Sequence, residues 1–130
     1  MITVDKVWGR EEWLENNAAY CVKLLRLSRG ARCSLHYHPV KDETFYVVSG
    51  RVLLESGSRY QVDRGLELET RVLSAGDHHR LPPRTVHRFT GLVDSLFVEA
   101  GTTHSDEDVV RLTESVPALE WEEWQRVRWL

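Results

Sequence analysis

Between residues 19 and 101 the sequence never sustains a helical period, which excludes most folds open to a chain of this size. What recurs is a short β-branched or aromatic run closed by turn residues, roughly every eight to twelve positions. The runs are "AYCVKLLRL" (19–27), "RCSLHYH" (32–38), "ETFYVVS" (43–49), "RVLLES" (51–56), "ELETRVLSA" (67–75), "VHRFTG" (86–91) and "SLFVEAG" (95–101). That spacing predicts an all-β sandwich or barrel of antiparallel strands. Gly50, between two runs, predicts a tight hairpin, and "SGSRYQVDRG" a looser connection. The double proline at 82–83 cannot sit in a central strand and marks a turn.

A chain of 130 residues holds one core, so a single domain is expected over 1–130. The barrel core would run from about 19 to 101, between an N-terminal segment (1–18) and a Trp-rich tail (102–130). "GREEWLENN" (9–17) has room for one helical turn ended by Asn16 and Asn17. In "PALEWEEWQRVRWL" (117–130), Trp121, Trp124, Val127 and Leu130 fall at three-residue spacing, a narrow apolar stripe on a helix. Such a helix either packs back over the barrel or forms a dimer contact.

Charge and composition exclude several functions. A net charge of −3 gives no reason to expect nucleic acid, and no segment approaches the length of a membrane span. The N-terminal stretch lacks the basic-then-apolar pattern of a signal peptide. Two cysteines, Cys21 and Cys33, make a disulfide scaffold an unfavourable reading and a reducing cytoplasm the default expectation.

One strand-like run carries polar residues that are costly to bury. In "SLHYHPVKDETFYVVSG" (34–50), alternation along an extended chain turns His36 and His38 to one side, roughly 6–7 Å apart, with Leu35 and Tyr37 facing away. "PVKD" makes a bend, and Glu43 opens the next run on the same side as Phe45 and Val47. Two imidazoles and a carboxylate converging inside a small barrel are expensive unless a divalent ion joins them. Such donors suit Zn, Mn, Fe, Co or Ni. Fifty residues on, "GDHHRLPPRTVHRF" (76–89) supplies His87 as the natural fourth ligand. His78 and His79 are neighbours that cannot both face a cavity, and are read as mouth or surface residues. His104, in the acidic run "GTTHSDEDVV", is read as part of a polar loop.

These residues resemble the two sequence motifs of the cupins, small antiparallel jelly-roll β-barrels. The first motif, G-x5-HxH-x3,4-E-x6-G, is met by Gly30, His36, His38, Glu43 and Gly50. The second, G-x5-PxG-x2-H-x3-N, is met by Gly76, Pro82 and His87, with Arg84 in place of the inner glycine and Gly91 in place of the asparagine. The resemblance covers about residues 19 to 101 and implies a cupin barrel with short helical ends. It also implies a site for one divalent transition metal at His36, His38, Glu43 and His87. Trp8–Gly9, Lys41, "LPPRTVHRFTG" and "DEDVVRL" are further similar to the cupin domain of type II phosphomannose isomerases and related small sugar-isomerase-like cupins. That branch implies a sugar or sugar-phosphate aldose–ketose isomerase, with the ion stabilising an enediolate.

A general base and acid are then needed beside the reacting carbons. Lys41 and Glu99 are the candidates, against the plainer readings of a solvated loop lysine and an outer-face glutamate. Arg84 and Arg88 flank His87 and are candidates for holding an anionic substrate end, or are surface charge. The same ligand set suits an iron-dependent dioxygenase, or a non-catalytic sugar-binding or regulatory cupin. The branch further implies a homodimer and a small-molecule partner.

Overall fold

The computed structural model describes residues 1–130 and is built from two antiparallel sheets facing one another. Along the chain come β1 (Ile2–Lys6), β2 (Gly9–Asn16), β3 (Cys21–Leu27), β4 (His36–Tyr37), β5 (Glu43–Ser49), β6 (Arg51–Gly57) and α1 (Arg59–Asp63). There follow β7 (Glu69–Ser74), β8 (His78–Leu81), β9 (Val86–Gly91), β10 (Ser95–Gly101), β11 (Val110–Arg111) and α2 (Trp121–Val127). The six-stranded sheet has the order β1-β2-β3-β10-β5-β8, and the five-stranded sheet the order β11-β4-β9-β6-β7. This is the all-β architecture that the run spacing predicts, in the jelly-roll form that the cupin resemblance implies.

Alternation decides what the barrel encloses. On β3, Cys21, Lys23, Leu25 and Leu27 are buried, as are Glu43, Phe45 and Val47 on β5 and Ser95, Phe97 and Glu99 on β10. The ladders stack these inward residues in layers. Phe97 lies opposite Leu25 on one side and Val47 on the other, while Glu99 lies opposite Lys23 and Phe45. Toward one end the layers are apolar, and Phe45, Phe89 and Phe97 meet edge to face at 5.1–6.0 Å. Toward the other they are charged. The barrel thus closes on a core at one end and opens into a polar cavity at the other.

Four expectations change. Residues 9–16 form a strand, because their backbone pairs with both β1 and β3. The barrel sheet therefore begins at residue 2. β5 and β6 do not form a hairpin: β5 pairs with β10 and β8, β6 with β9 and β7, so Gly50 carries the chain from one sheet to the other. It does so at φ +95°, where a Cβ would lie 2.3 Å from Ser95 Oγ and 2.7 Å from the Asp94 carbonyl oxygen. The 58–68 connection between β6 and β7 contains α1, opened by a capping box between Ser58 and Gln61.

The tail folds back. Val127 packs with Leu53 and Leu92, joined by Val72, Leu119 and Trp124, on the outer face of the five-stranded sheet. The expected stripe is only half used, since Trp121 and Leu130 stay exposed.

Candidate metal centre and its cavity

His36 and His87 are direct cross-strand partners between β4 and β9, and His38 follows two residues later. The three rings lie 4.4–5.8 Å apart, and one nitrogen from each falls within 4.8 Å of the others. Backbone carbonyls fix the tautomers. His36 Nδ1 meets Ser34 O at 2.7 Å, His38 Nδ1 meets Asp108 O at 2.6 Å, and His87 Nδ1 meets Thr85 O at 2.9 Å. A carbonyl only accepts, so each Nδ1 carries a proton, which leaves Nε2 as the nitrogen of each ring available to a metal. Burial, reinforced by the His87 and His38 rings, pushes His36 down to about 3, and burial also lowers His38.

Glu43, at the start of β5, completes the arrangement. Its Oε1 is 3.2 Å from His87 Nε2 and 3.9 Å from His38 Nε2. Both His87 Nε2 and Glu43 Oε2 are buried without a hydrogen-bond partner. A buried polar atom left without a hydrogen-bond partner is costly in the interior. A cation between them removes both costs, so these four donors fit a divalent transition metal.

Lys41 and Glu99 stand beside this group. Both are buried, at 3% and 6% exposure, which removes the readings of a solvated lysine and an outer-face glutamate. Lys41 Nζ forms an ion pair with Glu99 and lies 3.5 Å from Glu43 Oε2. Burial disfavours the Lys41 ammonium, but the carboxylates of Glu99 and Glu43 outweigh it and hold Lys41 above the ordinary lysine value. Burial likewise acts to raise Glu99, and the charges of Lys41 and Lys23 overcome it, leaving the carboxyl below its ordinary value. Both groups line a cavity of about 570 Å³ together with the candidate ligands His36, His38 and Glu43. Trp8, Trp13, Phe45 and Phe89 give that cavity apolar walls.

Arg84 and Arg88 are not brought there. Arg84 is exposed at φ +67°, and what it contributes is a backbone N–H donated to His38 O at 2.8 Å. Arg88 alternates to the face opposite His87 and forks onto Glu55 at 2.9 and 3.1 Å. Neither side chain lines the cavity. His78 is exposed and His79 half-buried on β8, and both lie apart from the histidine cluster.

Other side chains were not anticipated. Lys23 is 1% exposed, with Nζ 2.9 Å from His104 Nδ1, 3.7 Å from Glu11 and from Glu99, and 4.4 Å from the Trp13 ring. Its signal is in the sequence, because parity places it between Cys21 and Leu25 on the inward side of β3. His104 does sit in a loop, but that loop turns it into the cavity. Asp108 accepts from the backbone N–H groups of Val40 and Lys41, both at 2.9 Å, through its two carboxylate oxygens. Asp108 lies in the "DEDVVRL" stretch of the family resemblance, but its partners lie nearly seventy residues away, so its role is not readable from that stretch alone.

Comparison with known proteins gives a consistent picture of the fold. Residues 23–92 match the family model for the cupin domain. A search of curated proteins found no match. Among solved structures, KdgF from Halomonas sp. is 24% identical, with a TM-score of 0.68 over 82% of this chain and 92% of that one. The capsular polysaccharide assembling protein CapF from Staphylococcus aureus is 18% identical with a TM-score of 0.75. An oxalate decarboxylase variant from Bacillus subtilis is 17% identical with a TM-score of 0.72. The alignments cover 86% and 85% of this chain but only 31% and 30% of those two proteins. At these identities the likeness concerns the fold.

Proposed function

The chain belongs to the cupin domain family, and on that footing we propose that it is a divalent-metal enzyme acting on a small sugar, either an aldose–ketose isomerase, which moves a proton between adjacent carbons, or a close epimerase, which removes and returns a proton at one carbon. The observation that carries this reading is the Lys41–Glu99 ion pair, buried in the wall of the same cavity and one contact from Glu43. A purely structural metal site would not need a second acid–base pair at its edge. A divalent ion held by His36, His38, His87 and Glu43 supplies positive charge that polarises a carbonyl or hydroxyl oxygen.

The protein's own groups do the rest. Glu99 is a carboxylate that takes a proton from carbon, and Lys41 is an ammonium that hydrogen-bonds the oxygen gaining negative charge. The aromatic walls exclude water and stack against the apolar faces of a sugar. With Arg84 turned to solvent and Arg88 engaged by Glu55, the arrangement favours a free sugar over a sugar phosphate. The working form in this reading is a single-domain cytoplasmic homodimer, which a sizing column checks.

The test is incubation of metal-loaded protein in D2O with free ketoses, fructose 6-phosphate and mannose 6-phosphate, beside metal analysis. Deuterium at C1 or C2 of a sugar, lost in Lys41→Met and Glu99→Gln, is the expected result. Bound Fe(II) with oxygen consumption would instead establish a dioxygenase. No exchange with any sugar across Zn, Mn, Fe, Co and Ni would leave a binding protein.

A further inference from the structure

The proposed chemistry uses Lys41 and Glu99 and leaves a second fully buried lysine without a role. Lys23 is directly opposite Glu99 in the β3–β10 ladder, so the sheet register itself brings the two side chains together. Glu99 Oε2 is shared between Lys41, with which it pairs closely, and Lys23, 3.7 Å away. On its far side Lys23 is held by His104. An ammonium only donates and a carboxylate only accepts, so His104 Nδ1 accepts from Lys23 while His104 Nε2 donates to Asp106 Oδ1 at 2.7 Å. The Trp13 ring, whose Nε1 donates to Glu11 at 2.9 Å, covers the ammonium at 4.4 Å.

We propose that Lys23 is a positioning residue for the reaction: a fixed second cation that keeps the Glu99 carboxylate ionised and aimed at Lys41. This rests on the reading of Glu99 as the reacting base. A carboxylate supported by Lys41 alone would lose that support whenever the Lys41 ammonium turned toward substrate. Lys23 is clamped by Glu11, His104 and Trp13, so it stays in place. Every charged group around Glu99 enters the balance, including Glu43 on β5, which shares Lys41 with it. Lys41 precedes β5, and Lys23 on β3 and Glu11 on β2 lie alongside. The Cys21 thiol, also on β3, is 3.8 Å from Glu99 Oε2. The lysines favour the ionised carboxylate and Glu11 opposes it.

The experiment is a pH titration of the metal-free full-length chain labelled with 13C at glutamate carboxyls, the Glu99 signal being assigned by its loss in Glu99→Gln. Replacing Lys23 with Met should raise the Glu99 midpoint by about one pH unit or more, the usual effect of an opposite charge at this range. Lys23→Arg should return it most of the way. An unchanged midpoint in a folded Lys23→Met protein overturns the proposal. In unmodified protein the Lys23 15Nζ signal should show an inflection at the Glu99 midpoint, a readout needing no variant, and a flat Lys23 signal overturns the proposal equally. If the midpoint shifts as stated while no sugar exchanges deuterium with unmodified protein, the Lys23–Glu99 coupling stands and the isomerase reading falls. If sugars do exchange, Lys23→Met should lower kcat at least tenfold with KM little changed, and an unaltered kcat would overturn the positioning role.

Discussion

At the residue scale, the histidine–glutamate group was legible because its chemistry is local: HxH places two rings on one side of an extended chain by parity alone. The supports of that group are not local. Asp108 ties down the bend after His38 by accepting from the N–H groups of Val40 and Lys41, while its own carbonyl orients the His38 ring. Removing the carboxylate frees the bend but leaves the ligand set intact. Asp108→Ala should therefore weaken divalent metal affinity by roughly 10- to 100-fold, as loss of an orienting group around ligands does, measured by competition with a chelator. Arg84 shows the converse. Its side chain departs from the glycine of the motif, yet its backbone keeps a left-handed φ of +67°. The turn geometry persists, and its N–H still reaches His38 O.

At the scale of elements, β5 and β10 fall where the alternating runs place them, since each buries one face, while β9 matches its run but is buried along nearly its whole length. β1 and β2 were missed because Glu11, Glu12 and Trp13 in succession look helical when the sheet they join is unknown. Glu11 is buried facing Lys23 and Glu12 is paired with Arg26, so tertiary partners rather than propensity decide the strand. β8 was hidden by "HHRL", four residues with a single apolar anchor in Leu81. Strand partners were the least legible, as the turn at Gly50 shows. Gly50→Ala should destabilise the fold by about 3 kcal/mol, since a strained φ and contact with the Asp94–Ser95 backbone add together. Gly76 has φ +91° but open space around its Cβ direction, so Gly76→Ala should cost only about 1 kcal/mol. Urea unfolding of the two variants measures the difference.

At the scale of the whole molecule, the chain divides its work between the two ends of the barrel and its outer face. Val127 is buried with Leu53 and Leu92 outside the five-stranded sheet, away from the cavity. Val127→Ala should lower stability by about 1–2 kcal/mol through lost burial and the void left behind. Metal stoichiometry should not change, and thermal unfolding with metal analysis of the same sample checks both halves of that statement. The layering inside the barrel makes this separation possible, because Leu25, Phe97 and Val47 form a closed floor beneath Lys23, Glu99 and Glu43.

That layering has an electrostatic corollary. The cavity wall carries five carboxylates, Asp5, Glu11, Glu43, Glu99 and Asp106, and four cationic groups, Lys6, Lys23, Lys41 and Arg111, for a formal charge of 4 − 5 = −1. Adding a dication turns the sum to +1. A loaded cavity is then one negative charge short of neutrality. A neutral sugar leaves that deficit in place, a doubly charged phosphate overshoots it, and transfer of a proton from the sugar to Glu99 inside the cavity does not alter the sum. A singly charged mimic of the deprotonated sugar brings its own negative charge while Glu99 stays ionised, so the filled site is neutral and such mimics should outcompete the sugar itself.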